Sequence, residues 1–362
     1  MIGHTLGLYI SRRFLKSVLG VVAVLFALIF VLDFVETMRR ASDITGVGPG
    51  TIALISLFRT PSVAEQTLPF AVLFGAIGCF IALSRRLELI VARAAGVSVW
   101  QFLMPPVLLA ALLGILAAIA FNPLSADLKA RCDALEATVF NSSSANVATG
   151  SERWIRQRSI DGQAVIRAAS SLEGGLTLTG VTIFTFDNDG RFQERIEAHT
   201  ARLQNGSWAL DDVRVLRPET QPAAYDSYVL ATNLTAAQVL QTFTSPDTVS
   251  FWRLPSAIAL ATAAGLDTNE YRLHYQTLLA RPALLVAMVL IAATVSLRFV
   301  RFGGLGFMVL GGVGAGFVLY VATKIAEDLG AAGLVNTSAA AWSPAIVSML
   351  IGFTILLNQE DG

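Results

Sequence analysis

Six stretches of the chain stay apolar for about 20 positions each, the length a helix needs to cross the hydrocarbon core of a bilayer. They are Leu15–Leu32, Gln66–Leu83, Val99–Phe121, Leu278–Leu297, Phe302–Val321 and Ala339–Leu357, and they predict six membrane-spanning helices. No small-residue cleavage site follows the first, and Asp33, Phe34, Val35 and Glu36 continue its helical pattern, so it reads as a retained helix and not a signal peptide. Basic residues of the short connections set the orientation. Arg12, Arg13 and Lys16 precede the first span, Arg85, Arg86 and Arg93 follow the second, and Arg298 and Arg301 follow the fourth. All fall on one side, against Arg39, Arg40, Arg59 and Lys324 on the other, which predicts cytoplasmic termini and an external segment 122–276.

Within that segment the hydrophobic period changes from helical to two. Short runs at 154–156, 163–167, 176–186, 207–210, 213–216 and 225–230 read as strands. Between them lie Asp161-Gly162, Gly174-Gly175, Asp187-Asn188-Asp189-Gly190 and Asn205-Gly206, sequences that tolerate positive φ. Strands at this spacing predict an all-β domain, either a sandwich, a jelly roll or a related open form. His199 and the Asp-Asn-Asp run suggest a metal site at first sight, but such a cluster between strands reads as a hairpin turn. Asn141, Asn205 and Asn233 match N-x-Ser/Thr, a pattern that recurs by chance in polar domains.

One charged stretch, SRRLELIVARAAGVS from Ser84 to Ser98, sits between two of the most apolar runs. On a helical wheel Leu87, Ile90, Val91 and Ala94 share one face, with Glu88 to one side and Arg86 and Arg93 to the other. Ser84 is placed to cap its start, Gly96 to end it and Ser98 to cap the following span. A helix lying across the membrane face is expected. Arginines alone would suit anionic headgroups, but a glutamate opposes them, which favours a handle gripped by a cytoplasmic partner.

Composition agrees with the pattern. With 54% hydrophobic and 14% charged residues and a mean hydropathy of +0.62, the 362-residue chain lies outside the soluble globular range. Its net charge of zero offers no global attraction for nucleic acid. Cys79 and Cys132 have neither disulfide nor metal-ligand spacing and read as packing residues. No G-x-x-x-x-G-K-[ST] loop is present to cradle nucleotide phosphates, and nothing implies a cofactor.

The pattern LALSRRLELIVARAAGVS resembles the "SELxxxRAxGxS" cytoplasmic coupling helix of the LptF/LptG permeases, membrane subunits of the lipopolysaccharide-exporting ABC transporter. YISRRFL from Tyr9 to Leu15 resembles the family's N-terminal "RYxxRxxL", and TLPF from Thr67 to Phe70 its "xxPxxxL" in span two. DFVETMRR (33–40), GSERWIR (150–156) and SFWRLP (250–255) are closer to the LptG branch. Of the coupling motif's Ser-Glu pair only the glutamate is kept, in Arg86-Leu87-Glu88. The resemblance implies six spans with a β-jellyroll between the third and fourth. It also implies a non-catalytic permease subunit in the bacterial inner membrane, heterodimeric with LptF, driven by an LptB ATPase dimer and joined by LptC.

On that basis Arg86, Glu88 and Arg93 are the expected ATPase contacts, through charge-assisted hydrogen bonds. Arg39 and Arg40 align with a basic pair expected to hold the lipid A phosphates, and Lys129 and Arg131 are candidates for a second cationic rim. Asp33 falls where better-known LptG chains carry lysine. A cation pair at a helix C-terminus also gains from the macrodipole without any ligand. In span five Gly303, Gly304, Gly306, Gly311, Gly312, Gly314 and Gly316 suit either a lateral gate or tight packing. Pro61 and Pro69 near span two, and Pro282 opening span four, are expected to set kinks or helix starts. A mechanotransmission-type ABC subunit, acting on periplasmic partners without moving lipid, is the rival reading; six spans with the outer domain in the middle speak against it.

Overall fold

The computed structural model describes residues 4–42, 48–86, 88, 91, 94, 96–141, 153–159, 162–172, 176–187, 191–204, 206–217, 221–233, 246–263, 267–298 and 305–360. The chain divides into two compact units: one of residues 1–140, 250–252 and 272–362, the other of residues 141–249 and 253–271. In chain order the helices are α1 (His4–Ala41), α2 (Pro49–Arg85), α3 (Val99–Leu116), a π-helical turn (Ala117–Phe121), α4 (Asn122–Asn141), α5 (Leu254–Ala263), α6 (Asn269–Arg298), α7 (Leu305–Ala331) and α8 (Thr337–Glu360). Among the described residues six helical segments are long and apolar enough to cross a membrane: Thr5–Ala41, Pro49–Arg85, Val99–Glu136, Asn269–Ser296, Leu310–Ala331 and Thr337–Asn358. They match the six expected spans. Of the helices flanking the sheet, α4 clusters with the spans and α5 with the strands.

The first unit is built around α2 and α6. Ile10, Phe14 and Val18 of α1 recur every fourth position and bury one stripe against a core that includes Val72, Leu73, Phe80, Leu83, Leu285 and Met288. Close approach depends on glycine at two places. A Cβ on Gly75 would stand 2.7 Å from the Val18 Cα, and one on Gly114 only 2.5 Å from the Pro282 Cα, so backbones touch where α1 meets α2 and α3 meets α6. Pro282 does not open its helix as expected. It lies well inside α6, as Pro61 and Pro69 lie inside α2; neighbouring helices support proline in such positions within membranes.

A buried carboxylate gathers three helices. Glu65 of α2 accepts from Asn122 Nδ2 at 3.0 Å and from the Ser125 hydroxyl, both on α4, and pairs with Arg281 of α6. The Glu65 and Arg281 side chains are only 6% and 10% exposed, so each charge is neutralised and hydrogen-bonded where water is scarce. The π-helical turn just before Asn122 serves the same junction. Its Ile119 carbonyl accepts from Trp252 Nε1 at 3.2 Å, and Asn122 Oδ1 accepts from the Phe251 amide at 2.9 Å. The chain returning towards span four is thereby fastened to the end of span three.

The second unit is one six-stranded antiparallel meander, β1 (Arg153–Ser159), β2 (Gly162–Leu172), β3 (Thr177–Phe186), β4 (Phe192–Gln204), β5 (Ser207–Leu216) and β6 (Ala223–Ala231), in the order β1-β2-β3-β4-β5-β6. This is among the open β forms that the turn spacing admits. Strand β4, absent from the expected runs, buries Glu194, Ile196, Ala198 and Ala201 and leaves Arg195 and His199 outside. A crease crosses the sheet. Leu178 and Val181 on β3, Ala198 and Ala201 on β4, and Leu210 and Val213 on β5 are all buried although each pair is three residues apart. Gly180 (φ 60°) and Asp212 (φ 52°) turn the backbone there, and because neighbouring strands slip together the register continues unchanged. The sequence runs 207–210 and 213–216 are therefore one strand.

The sheet's core holds Trp208, whose indole donates to Gln157 Oε1 at 3.3 Å, an oxygen that also accepts from the Thr232 hydroxyl at 2.7 Å. The Asp187 amide donates to the Arg191 carbonyl at 2.9 Å and the Arg191 amide to Asp187 Oδ1 at 2.7 Å. That closes a hairpin where the acidic run was expected to be a turn; residues 188–190 lie outside the described residues. Glu194 accepts from Arg217 Nε at 2.8 Å and from the Tyr228 hydroxyl at 3.1 Å.

Three measurements check this packing. Gly114→Ala, which forces backbone against backbone, should lower stability by about 1–3 kcal/mol, whereas Gly20→Ala, with nothing within 4 Å, should raise it by about 1 kcal/mol through helix propensity; thermal unfolding in detergent separates them. Arg281→Met should cost about 3–5 kcal/mol by stranding the Glu65 charge, and adding Glu65→Gln should recover most of the loss in the same assay. Burial and the adjacent Glu194 carboxylate both push the Tyr228 phenol above its ordinary value of 10.0. With the folded pKa raised, its contribution to stability is full below about pH 10 and is lost as pH rises through the folded value. Ultraviolet titration at about 295 nm, by difference from Tyr228→Phe, should show the raised value, and Glu194→Gln should lower it.

Candidate functional site

The expected handle holds a specific side-chain cluster. Glu88, Val91 and Ala94 are helical and Gly96 turns the backbone at φ 85°. Ser98 then caps α3, accepting from the Gln101 amide at 3.3 Å. Ser84 does not cap the handle: it is buried inside the last turn of α2, with no hydrogen-bond partner for its hydroxyl among the described residues. Arg86 is exposed at the end of α2, while Leu87, Ile90 and Arg93 lie outside the described residues. The apolar face survives in part, since Val91 and Ala94 are exposed and covered by no other segment of the described chain.

Glu88 is engaged with α1. Its carboxylate accepts from Arg13 Nη1 at 3.0 Å and from the Tyr9 hydroxyl at 3.0 and 3.2 Å, and the Arg13 guanidinium lies 5.3 Å from the centre of the Tyr9 ring. Tyr9 and Arg13 are one helical turn apart and so share a face. Neither was singled out from the sequence for this role, although both belong to the YISRRFL pattern and their spacing is that of one helical turn. The Glu88 side chain keeps about a third of its surface exposed (32%), so an ionised carboxylate with about four acceptor sites can take a further donor.

At the other end of α1 the expected cations all have partners. Arg39 donates to both Glu36 oxygens at 2.9 and 2.8 Å, and Arg40 to the same carboxylate at 3.0 Å. On α4, Lys129 pairs with Asp133 at 3.4 Å and Arg131 with Asp127 at 3.8 Å. These are exposed pairs within one helical turn, the kind worth least in water. Arg59 of α2 is different and was not anticipated as a site residue. It donates to Asp33 at 2.9 Å and pairs with Glu136, so the cation at the level of Asp33 comes from a neighbouring helix and ties α1, α2 and α4 together. Cys132, Asp133 and Glu136 bring their ligand atoms within 4.8 Å of one another. Each already holds a partner: Cys132 donates to the Ile55 carbonyl, Asp133 pairs with Lys129 and Glu136 with Arg59.

The spans differ sharply in how much the chain covers them. Only 6% of the most apolar window of α1 and 17% of that of α7 is buried, against 56% for α2 and 61% for α6. Leu19, Val24, Leu28, Val31, Leu32 and Val35 stand exposed along α1, as do Leu310, Phe317 and Val318 on α7. On α7 the glycines divide. Gly312 and Gly316 are pressed against Ile77 and Leu73 of α2, while Gly314 meets nothing within 4 Å; Gly303 and Gly304 lie outside the described residues.

Comparison with known proteins gives these features a family. The model of the lipopolysaccharide export system permease LptF/LptG matches residues 8–358. The lipopolysaccharide export system permease protein LptG of Escherichia coli strain K12 is 23% identical over 367 residues, covering 97% of this chain and 98% of that protein. The same protein of Escherichia coli O6:H1 strain CFT073 gives the same figures. With six spans, an inserted antiparallel β unit and a match over nearly its whole length, the chain belongs to the LptF/LptG permease family of the lipopolysaccharide export system and is a multi-pass inner-membrane protein.

Proposed function

We propose that the chain is the LptG-type membrane subunit of an ABC transporter that extracts lipopolysaccharide from the inner membrane and passes it to a periplasmic bridge toward the outer membrane. In this reading it pairs with an LptF subunit, takes its energy from an LptB ATPase dimer and meets LptC on the periplasmic side. Both termini and the segment 84–98 face the cytoplasm and the β unit faces the periplasm. The division into 1–121, 122–276 and 277–362 follows that sidedness.

The observation that carries the proposal is the bareness of α1 and α7. Apolar surface on this scale needs lipid or another protein against it. A lipid with several acyl chains and a phosphorylated head would be met by the uncovered faces of these helices below and by Arg39, Arg40, Lys129 and Arg131 above. Because the carboxylates holding those cations are exposed and weakly bound, a phosphate can displace them through stronger, charge-assisted bonds. At the opposite end Arg86, Glu88 and Arg93, with the exposed apolar side chains of Val91 and Ala94, form the surface assigned to the ATPase.

Photocrosslinking in cells tests both ends. A photoreactive residue at Arg39 should capture lipopolysaccharide and one at Val91 the ATPase, and depleting the chain should stall lipopolysaccharide at the inner membrane. Capture of a peptide at Arg39, with normal delivery of lipopolysaccharide to the cell surface, would favour the mechanotransmission reading instead.

A further inference from the structure

We propose that Arg13 and Tyr9 are positioning residues that join the coupling segment to the first span, so that force applied at Glu88 moves α1. The inference rests on the transporter reading above and adds a route by which nucleotide turnover reaches the lipid-facing wall.

Three observations support it. First, both oxygens of Glu88 are engaged by α1, one by Arg13 and the Tyr9 hydroxyl and the other by Tyr9. A charge-assisted pair with fixed geometry resists displacement in a way that apolar contact, which slides, does not. Second, α1 is gripped just above that point. Ile10, Phe14 and Val18 are buried, the Ser17 hydroxyl donates to the Gly75 carbonyl at 2.8 Å, and Val18 lies where Gly75 permits backbone contact. Third, beyond Val18 α1 keeps only a half-buried stripe, with Val22 packed against the core, until Arg59 holds Asp33 at 2.9 Å.

A rod held this way behaves as a lever. With a rise of about 1.5 Å per residue, Arg13 lies about 7.5 Å below Val18 and Asp33 about 22 Å above it. A displacement of about 1 Å at Arg13 becomes about 3 Å at Asp33 if α1 tilts about Val18, enough to separate Asp33 from Arg59. Between Val18 and Asp33 no described residue of α1 is fully buried, so the half-buried stripe there opposes the tilt less than the contacts around Val18 do. Glu88 retains acceptor capacity for a donor from the ATPase, so one carboxylate joins the motor to the span.

The test uses the complete transporter in proteoliposomes and reads lipopolysaccharide delivered to an acceptor per ATP hydrolysed. Arg13→Ala should lower that ratio about tenfold, the equivalent of one charge-assisted hydrogen bond, while Arg13→Lys should keep most of it. Tyr9→Phe, which removes the hydroxyl and little else, should lower it about twofold to threefold. Size-exclusion profiles and thermal melting of each assembly identify any variant that misfolds, in which case Tyr9→Phe and Arg13→Lys carry the decision. An unchanged ratio in correctly folded Arg13→Ala and Tyr9→Phe would overturn the proposal, and so would an Arg13→Lys as impaired as Arg13→Ala. Failure of the unsubstituted chain to bind the ATPase or to move lipopolysaccharide would instead overturn the transporter reading.

Discussion

A charge inside a membrane protein cannot rely on water, and the Glu65 carboxylate meets that constraint with donors drawn from the protein itself. It lies about 30 Å along α2 from the Arg85 end, at the limit of a bilayer's hydrocarbon core, and its side chain is almost fully buried. Buried there it needs several donors at once, and these come from α4 and α6. Three helices far apart in the sequence must therefore meet at one depth. Asn122 extends the constraint: with its amide nitrogen on Glu65 and its oxygen on the Phe251 amide, it holds residue 251 at the same junction. A purely apolar junction could slip along the helix axes; this one has a definite height.

Against that fixed frame α1 is attached quite differently. It lacks a buried charge of its own along the middle, where it is at most half-buried. It is held by an apolar stripe and a glycine contact on α2, by Arg59 of α2 at Asp33, and by Glu88 of the coupling segment at Arg13. The two kinds of attachment suit two kinds of task. The Glu65 junction joins groups that cannot be separated without stranding a charge in a dry environment, so it is costly to open. The Asp33–Arg59 pair is more exposed, and its partners can be rehydrated or exchanged. Movement in such a protein is expected where the electrostatic cost of separation is smallest, and that is along α1.

Much of the architecture was legible in the sequence because it is set by bulk constraints. Bilayer thickness sets the length of apolar runs, and period-two alternation marks strands that bury one face; Gly96 and Ser98 end and start helices by local backbone chemistry alone. What escaped depends on pairing across the fold. Strand β4 was missed because its inward positions offer one large apolar side chain, Ile196, alongside a glutamate and two alanines, which gives too little contrast with the charged outer face. Strand β5 was divided because positive φ at Asp212 reverses the alternation. Arg59, Arg281 and Glu65 carried no local mark of their roles, since each acquires its partner from a helix elsewhere in the chain. Pro282, read as a kink or a helix start, lies inside α6, where Gly114 of α3 lets the two backbones approach closely.

The rim cations chosen from the sequence and those that tie the framework together differ in where their partners lie. Arg39, Arg40, Lys129 and Arg131 each lie beside a carboxylate of their own helix. Arg13, Arg59 and Arg281 reach across to carboxylates on other segments and hold the framework together. An unmatched cation near hydrocarbon is costly, and both sets are matched. Local i,i+3 and i,i+4 pairs neutralise an exposed surface and cost little to separate, whereas the pairs between segments fix where the helices meet.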